Sequence, residues 1–408
     1  MHFITTILVL LIGARALGQI FKRLFNQPSL VGEILAGVIV GSAVLGIVEP
    51  TRELAGIAEL TVFLIIFSAG LEMELKEVFT AMRGPGLPVA IFGFMMPQAV
   101  GFGLTYFFDM SAYSAAVVGL CMAITALPVA LRFVNSLGLS NKPLGQNVIG
   151  AAVIIDIVAL LVLGIVLDAP ASQKWADVIN SVLSNGLKMA GFFGVVLGLD
   201  WIVSKKLKTN FFHRWLGRVQ HRFGEDTLFG VAVTIVLVFS AATESLGFHF
   251  VIGAFFGGML LSKEFIGKEL FGNIEKTLNS VSTGFLSPIF FAYIGLQFGA
   301  EAFSNPLLLL AIVIGGLLAK TIGAFIGGKL AGISNRECWS MSVILNGRGV
   351  MDLVVAEIAL HRGYITKEVF SSLVILGILS TFVAPIIYRK LNADEPSTDM
   401  DGATPATS

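Results

Sequence analysis

A single aspartate, Asp156, stands in the apolar run Gly150-Ala-Ala-Val-Ile-Ile-Asp-Ile-Val-Ala-Leu-Leu, with no other charged residue within a helical turn. A carboxylate in so apolar a setting has few uses. Burial favours its neutral, protonated form, whereas a nearby cation favours the carboxylate. A proton and a metal ion would then compete for the same oxygen atoms, the chemistry of a group that carries one or the other in turn. The plainer reading is a structural aspartate bonded to a neighbouring helix. Lys320, in Gly315-Gly-Leu-Leu-Ala-Lys-Thr-Ile-Gly, is equally isolated. A buried ammonium needs a carboxylate or backbone carbonyls. Asp156 is the first candidate partner, and a lysine that only neutralises helix ends is the alternative.

Two further segments place polar groups beside helix-breaking residues. In Ala123-Ile-Thr-Ala-Leu-Pro-Val, Pro128 lacks an N–H and frees a carbonyl one turn earlier. Thr125 beside it offers a hydroxyl and a carbonyl, both cation ligands. In Leu345-Asn-Gly-Arg-Gly-Val, two glycines flank Arg348, next to Asn346 and four residues before Asp352, the spacing of a helical ion pair. Glu33 and Glu357 are additional carboxylates in apolar surroundings. Arg15 lies nearer a segment end, where a long side chain can snorkel to the interface.

The elements that must position these groups follow from composition. Charged residues are only 13% of the 408, hydrophobic ones 55%, and mean hydropathy is +0.86. A soluble chain of this size could not hide so much apolar surface, so lipid is the solvent for most of it. About 20 apolar residues span a bilayer as a helix. About thirteen segments qualify, near 3–20, 28–48, 55–73, 87–108, 112–137, 144–167, 180–203, 226–245, 248–262, 277–297, 304–328, 337–360 and 368–388. The expected fold is therefore all-α and polytopic. Residues 1–391 form one transmembrane domain and 392–408 a disordered cytoplasmic tail. The first run lacks a basic leader and a cleavage site, and reads as a span rather than a signal peptide.

The fifth and twelfth spans carry the two breaks. They stand seven apart and so cross in opposite directions. Interrupted helices at corresponding positions of inverted repeats point to a transporter's midplane site. Lysine and arginine give the orientation: with the N-terminus outside and the C-terminus cytoplasmic, nineteen of the 27 fall in cytoplasmic loops and four in outer loops. The densest cluster, Lys205 to Arg222, divides the chain into halves. Acidic and basic residues balance at 27 each, which leaves no basic footprint for nucleic acid. Cys121, Cys338 and five scattered histidines exclude a disulfide scaffold and the usual transition-metal motifs. No cofactor is expected.

These residues also carry a resemblance. The segments Gln27-Pro-Ser-Leu-Val-Gly-Glu-Ile-Leu-Ala-Gly, Phe67-Ser-Ala-Gly-Leu-Glu-Met-Glu, Ala123-Ile-Thr-Ala-Leu-Pro-Val, Leu246-Gly-Phe-His-Phe-Val-Ile-Gly-Ala-Phe, Pro288-Ile-Phe-Phe-Ala-Tyr-Ile-Gly-Leu and Asn346-Gly-Arg-Gly-Val-Met-Asp-Leu match in order and spacing. By them the chain resembles the second monovalent cation:proton antiporter family, with its Kef-type, NapA-like and CHX-type exchangers. The resemblance implies the antiporter fold of the NhaA and NapA type, with inverted repeats and two unwound, crossing helices. It implies a homodimer whose protomers each hold a core (about 87–167 and 304–388) and a scaffold (about 3–73 and 180–297).

It further implies an elevator mechanism in which Asp156 alternately binds proton and cation. Thr125 falls in an unwound segment, and Lys320 and Arg348 supply charge at the site. Asn346, Asp352, Glu33 and Glu357 are secondary candidates. The implied cargo is Na+ or K+ against H+, and the CHX-like Ile-Thr-Ala-Leu-Pro segment leans it toward K+. Apart from the resemblance, a compact chain that shows no transit peptide is expected in a bacterial cytoplasmic membrane.

The sequence departs from the family pattern in two ways. Relatives often carry Asp, Asn or Gln just before the transport aspartate, where this chain has Ile155. With one fewer ionisable group, exchange of one cation per proton, electrically neutral, is the simplest expectation. The nucleotide-binding domain of Kef systems is also expected to be absent, which leaves a separate regulatory subunit as the route for such control. Two other classes compete with the antiporter. An ion-gated channel or sensor on the same scaffold would need a continuous polar pore, where the spans show isolated ionisable residues. An intramembrane enzyme could be imagined with Asp156 and Asp352 as an aspartyl pair, but Asp352 lies beside Arg348, and the sequence has no water-activating histidine or metal motif. The chain is not expected to be an enzyme.

Overall fold

The computed structural model describes residues 2–25, 28–73, 80–125, 127–136, 139, 142–167, 224–261 and 263–391, with isolated positions between 184 and 222. The expected span at 180–203, most of the basic cluster 205–222 and the tail 392–408 lie outside the described residues. Among the described residues every regular element is a helix: α1 (Phe3–Leu24), α2 (Ser29–Val40), α3 (Arg52–Leu71), α4 (Gly86–Phe108), α5 (Ala112–Ala123), α6 (Leu127–Ser136), α7 (Pro143–Leu167), α8 (Glu225–Ser245), α9 (Phe250–Met259), α10 (Lys268–Val281), α11 (Ser287–Gln297), α12 (Pro306–Leu330), α13 (Asn335–Leu345), α14 (Val350–His361) and α15 (Lys367–Leu391). Among them, seven are long and apolar enough to cross a membrane: α1, α3, α4, α7, α8, α12 and α15.

These seven coincide with seven of the expected spans. Five others are shorter or interrupted; the ninth is the ten-residue α9. The fifth is the pair α5/α6 and the twelfth the pair α13/α14, each broken where Pro128 and the glycines around Arg348 predict. The second ends early, at Gly41, whose extended ψ of −177° stops α2. The tenth starts earlier than expected, because the preceding stretch is amphipathic. Leu270, Ile274 and Leu278 line one buried face of α10, and a π-helical turn, Ser282–Leu286, joins α10 to α11.

Caps start the helices where the sequence supplies them. The Ser111 hydroxyl accepts from the Ser114 N–H at 3.1 Å before α5. Ser334 is the N-cap of α13, accepting the Glu337 N–H at 3.4 Å and donating its hydroxyl to Glu337 Oε2 at 2.7 Å. Asn305 caps α12, and Pro306 fills its first position, where no N–H partner is required.

Helices α4, α5, α7 and α12–α15 pack among themselves, with α6 against α7. Helices α1–α3 and α8–α11 form a second packed set. Glycine seams bring backbones together. A Cβ on Gly37 of α2 would fall on the Ala292 carbonyl of α11, and one on Gly295 of α11 would fall on the Ile34 carbonyl of α2. Gly70 and Gly258 make the same reciprocal contact between α3 and α9. In lipid, such close approach supplies the dispersion contact that burial supplies in water. Gly37→Leu is expected to destabilise by about 1–3 kcal/mol or more, the usual cost of overpacking. It would lower the melting temperature of detergent-purified protein, and an unchanged melting curve would refute the seam.

Candidate functional site

The site is built from the two helix breaks. At the first, Ile124 turns extended (ψ 139°) and α5 stops at Ala123. A helix C-terminus leaves unpaired carbonyls and the negative end of its dipole. Two cations from distant parts of the chain meet four carbonyls in succession. Arg348 donates from Nη1 to the Cys121 carbonyl and from Nη2 to the Met122 carbonyl, the latter at 2.8 Å. Lys320 Nζ donates to the Ala123 carbonyl at 2.6 Å and to the Ile124 carbonyl. Lys320 is 0% and Arg348 1% exposed, so neither charge has a water alternative.

The second break returns the contact. Thr125, in the gap between α5 and α6, donates its hydroxyl to the Leu345 carbonyl, the last of α13, at 3.2 Å. Thr381 of α15 donates to the Arg348 carbonyl at 3.0 Å. Asn346 Nδ2 reaches Thr321 Oγ1 at 2.7 Å and the Ser342 carbonyl at 3.2 Å. Each break thus supplies a cap to the other, and the two interrupted helices lock where they cross.

Asp156 sits on α7 at the positive end of α6. Its Oδ2 accepts the Leu127 N–H at 3.2 Å, and its Oδ1 has no partner among the described residues although the residue is only 6% exposed. Oδ1 of Asp352, in the first turn of α14, and Oδ1 of Asn346 are likewise buried without protein partners. A cavity of about 280 Å³ reaches from Asp156, Leu127 and Met351 to Glu72 and Asn279, past Ser282, Thr283 and Ser287 at the π-helical turn. Its walls come from both packed helix sets. One carboxylate oxygen is held by the backbone, the other is buried without a partner among the described residues, and the residue borders the cavity. That arrangement can bind a proton or a small cation.

Comparison with known proteins bears on what such a site is for. Residues 6–391 match the family model described as "Sodium/hydrogen exchanger, transmembrane". The chain belongs to this family. A Na(+)/H(+) antiporter of Enterococcus hirae is 27% identical over 384 residues, covering 94% of this chain and 96% of its own. The Na(+)/H(+)-K(+) antiporter GerN of Bacillus cereus is 27% identical over 385 residues, covering 94% and 95%. Among solved structures, the sodium proton antiporter MjNhaP1 of Methanocaldococcus jannaschii superposes with a TM-score of 0.65 at 17% identity, covering 96% of each chain. That likeness establishes the fold of this sodium/hydrogen exchanger family member.

Of the residues expected at the site, the structure brings together Thr125, Lys320, Arg348, Asn346, Asp352 and Asp156. Glu33 lies elsewhere, buried on α2 against Gly18 of α1, and Glu357 stands near the far end of α14. Two expected pairings are replaced. Among the described residues, Lys320 makes no ion pair with Asp156, nor Arg348 with Asp352; both cations are taken up by the carbonyls of α5. The reason is supply: a broken helix end offers a dense row of acceptors that only a cation's several donors can satisfy. Arg15 also differs from the snorkelling expectation. It donates to the Thr283 and Gly284 carbonyls, holding the π-helical turn that lines the cavity. Sequence reasoning passed over Thr321 and Thr381, the hydroxyls that fix Asn346 and Arg348. Thr321, next to Lys320, was within reach of it; Thr381 left no signal.

Proposed function

We propose that this family member is a secondary antiporter that exchanges a monovalent cation, Na+ or K+, for H+. Asp156 takes up proton and cation in turn, with Thr125 beside it as a further cation ligand. The observation that carries this reading is the half-satisfied carboxylate bordering an open cavity, beside a broken helix, α5, whose carbonyl end is already neutralised by Lys320 and Arg348. Because those cations are committed to carbonyls, Asp156 keeps a free oxygen for a mobile ligand. The relatives are named for exchange of sodium against protons and, for GerN, of potassium as well, which supports the same cargo.

In this reading α4–α7 and α12–α15 form a core that moves against a scaffold of the remaining helices, an elevator that exposes Asp156 to each side alternately. The location of the cavity between the two packed sets supports that division. The protein would be a homodimer in a cytoplasmic membrane with its N-terminus outside. Exchange would be electrically neutral, since Ile155 leaves Asp156 without the second polar neighbour. The CHX-like segment around Thr125 favours K+. A separate subunit would supply any nucleotide-dependent regulation.

The test is antiport in everted vesicles from a host lacking its own exchangers. With the lumen acidified, addition of Na+ or K+ should release protons, read by dequenching of a pH-sensitive dye. The responding cation names the cargo. Absence of any response in well-expressed protein would sink the reading, and flux far above carrier rates would favour a channel. Thr125→Val removes one hydroxyl contact of about 0.5–1.5 kcal/mol. It should raise the cation concentration for half-maximal exchange roughly two- to tenfold, whereas Thr125→Ser should stay near wild type.

A further inference from the structure

A second cavity, of about 440 Å³, opens at the other end of α3 from the Asp156 cavity. Helix α3 lines it with Arg52 and Glu59, the residue before α9 with His249, and α14 with Glu357 and His361, followed by Arg362. Helix α14 therefore runs from one cavity to the other: Met351 at its start borders the Asp156 cavity, and its last turn borders this one.

Three side chains here are joined. His361 Nε2 lies 3.1 Å from Glu357 Oε1 and 3.0 Å from the hydroxyl of Tyr293 on α11. The imidazole and phenol rings are nearly parallel, 14° apart. The side chain of His361 is 47% exposed and that of Glu357 only 8%, and Tyr293 is buried. A half-open imidazole thus connects solvent to a buried carboxylate. An exposed ion pair at this helical spacing would contribute little, and such a pair has no need of a buried carboxylate or a third, buried hydroxyl on another helix.

We propose that Glu357, His361 and Tyr293 form a second proton-binding station, at the opposite end of α14 from Asp156, through which protons pass between that side of the membrane and the transport site. The station rests on the antiporter reading and adds a route to it. A proton from solvent adds to Nδ1 while the Nε2 proton moves to Glu357 Oε1. The carboxylate becomes a neutral acid and the imidazole stays neutral, with its proton on Nδ1. The Tyr293 O–H then turns from accepting to donating toward the bare Nε2. The other charged and titratable groups lining the cavity are Glu59, which together with Glu357 favours the protonated imidazole, Arg52, Arg362 and His249.

The experiment uses full-length protein in oriented proteoliposomes and varies the pH on the side of this cavity alone. With protons scarce, above about pH 7.5, His361→Gln and Glu357→Gln should slow exchange about tenfold, Tyr293→Phe severalfold, and the deficit should narrow as the pH falls. The cation concentration for half-maximal exchange should not move. Wild-type pH profiles in all three variants would overturn the station. So would a uniform loss at every pH accompanied by a lower melting temperature, which marks a structural role, or a rise confined to the half-maximal cation concentration, which marks a cation site. If wild-type protein exchanges no cation for protons, the antiporter reading fails and the station with it. If wild type exchanges and the variants match it, only the station fails.

Discussion

Asp156→Asn is expected to abolish cation-driven proton movement, to the background of vesicles without the protein, while leaving the fold intact. The two consequences separate because the proposed reading gives the two carboxylate oxygens different jobs. Oδ2 accepts the Leu127 N–H at the start of α6, and an asparagine oxygen can accept the same bond in the same place. The buried N–H stays paired, so the melting temperature should change by the equivalent of about 1 kcal/mol or less. The free Oδ1 becomes an amide nitrogen, which neither takes a proton nor holds a cation. Asp156→Ala makes the contrast. It removes the cap as well, at about 0.5–2 kcal/mol, and leaves a buried N–H unsatisfied, at about 1–3 kcal/mol. The alanine variant should therefore lose both exchange and stability. If the asparagine variant exchanges cations at more than about a tenth of the wild-type rate, Asp156 is a structural cap and the transport reading falls. If it fails to fold, the oxygen assignment is wrong.

The polar groups and the helix breaks of this candidate site were legible in the sequence because membranes make polar residues conspicuous. Asp156 and Lys320 stand out against an apolar background, and Pro128 and the Gly347–Gly349 segment announce where helices stop. These are local signals, and the breaks fall where the signals put them. What could not be read was which groups meet. The sequence offers Asp156 as the natural partner of Lys320, since opposite charges attract, but it does not display the four carbonyls at the end of α5, which exist only once the helix is broken. Those carbonyls outcompete a single carboxylate for both cations, and this releases Asp156. The π-helical turn after α10 was equally hidden. Nothing in Ser282–Leu286 distinguishes it from an ordinary helical turn, yet Arg15 must reach across from α1 to hold its carbonyls. Glu33 and Glu357 show the converse. Both are intramembrane carboxylates by the same criterion as Asp156, and only the packing of α2 on α1 and the length of α14 separate them from the site.

Arg348→Ala is expected to cost more stability than any other single change at the crossing, about 3–5 kcal/mol, the scale for removing one partner of a buried charge interaction. The guanidinium serves two adjacent carbonyls at once, of Cys121 and Met122, and no water can replace it. Its planar fork matters as much as its charge. Arg348→Lys keeps the charge but offers a single point donor, which cannot reproduce two parallel bonds; it should recover less than half of the lost melting temperature. Lys320 is the informative comparison. It serves the next two carbonyls, of Ala123 and Ile124, as a point charge already, so Lys320→Arg forces a larger planar group into a fully buried site and should be nearly as damaging as Lys320→Met. The two positions thus predict opposite orders. At 348 the exchange of one cation for another should partly rescue, and at 320 it should not. Thermal unfolding in detergent measures both, and equal tolerance of Arg and Lys at either position would mean that charge alone, rather than the geometry of the carbonyl row, holds the broken helix in place. Exchange activity should fall with stability at 348, because the cap fixes the end of α5 from which Thr125 and Leu127 are presented. Loss of the α5 cap with full retention of exchange would show that the crossing is a structural joint that transport does not use.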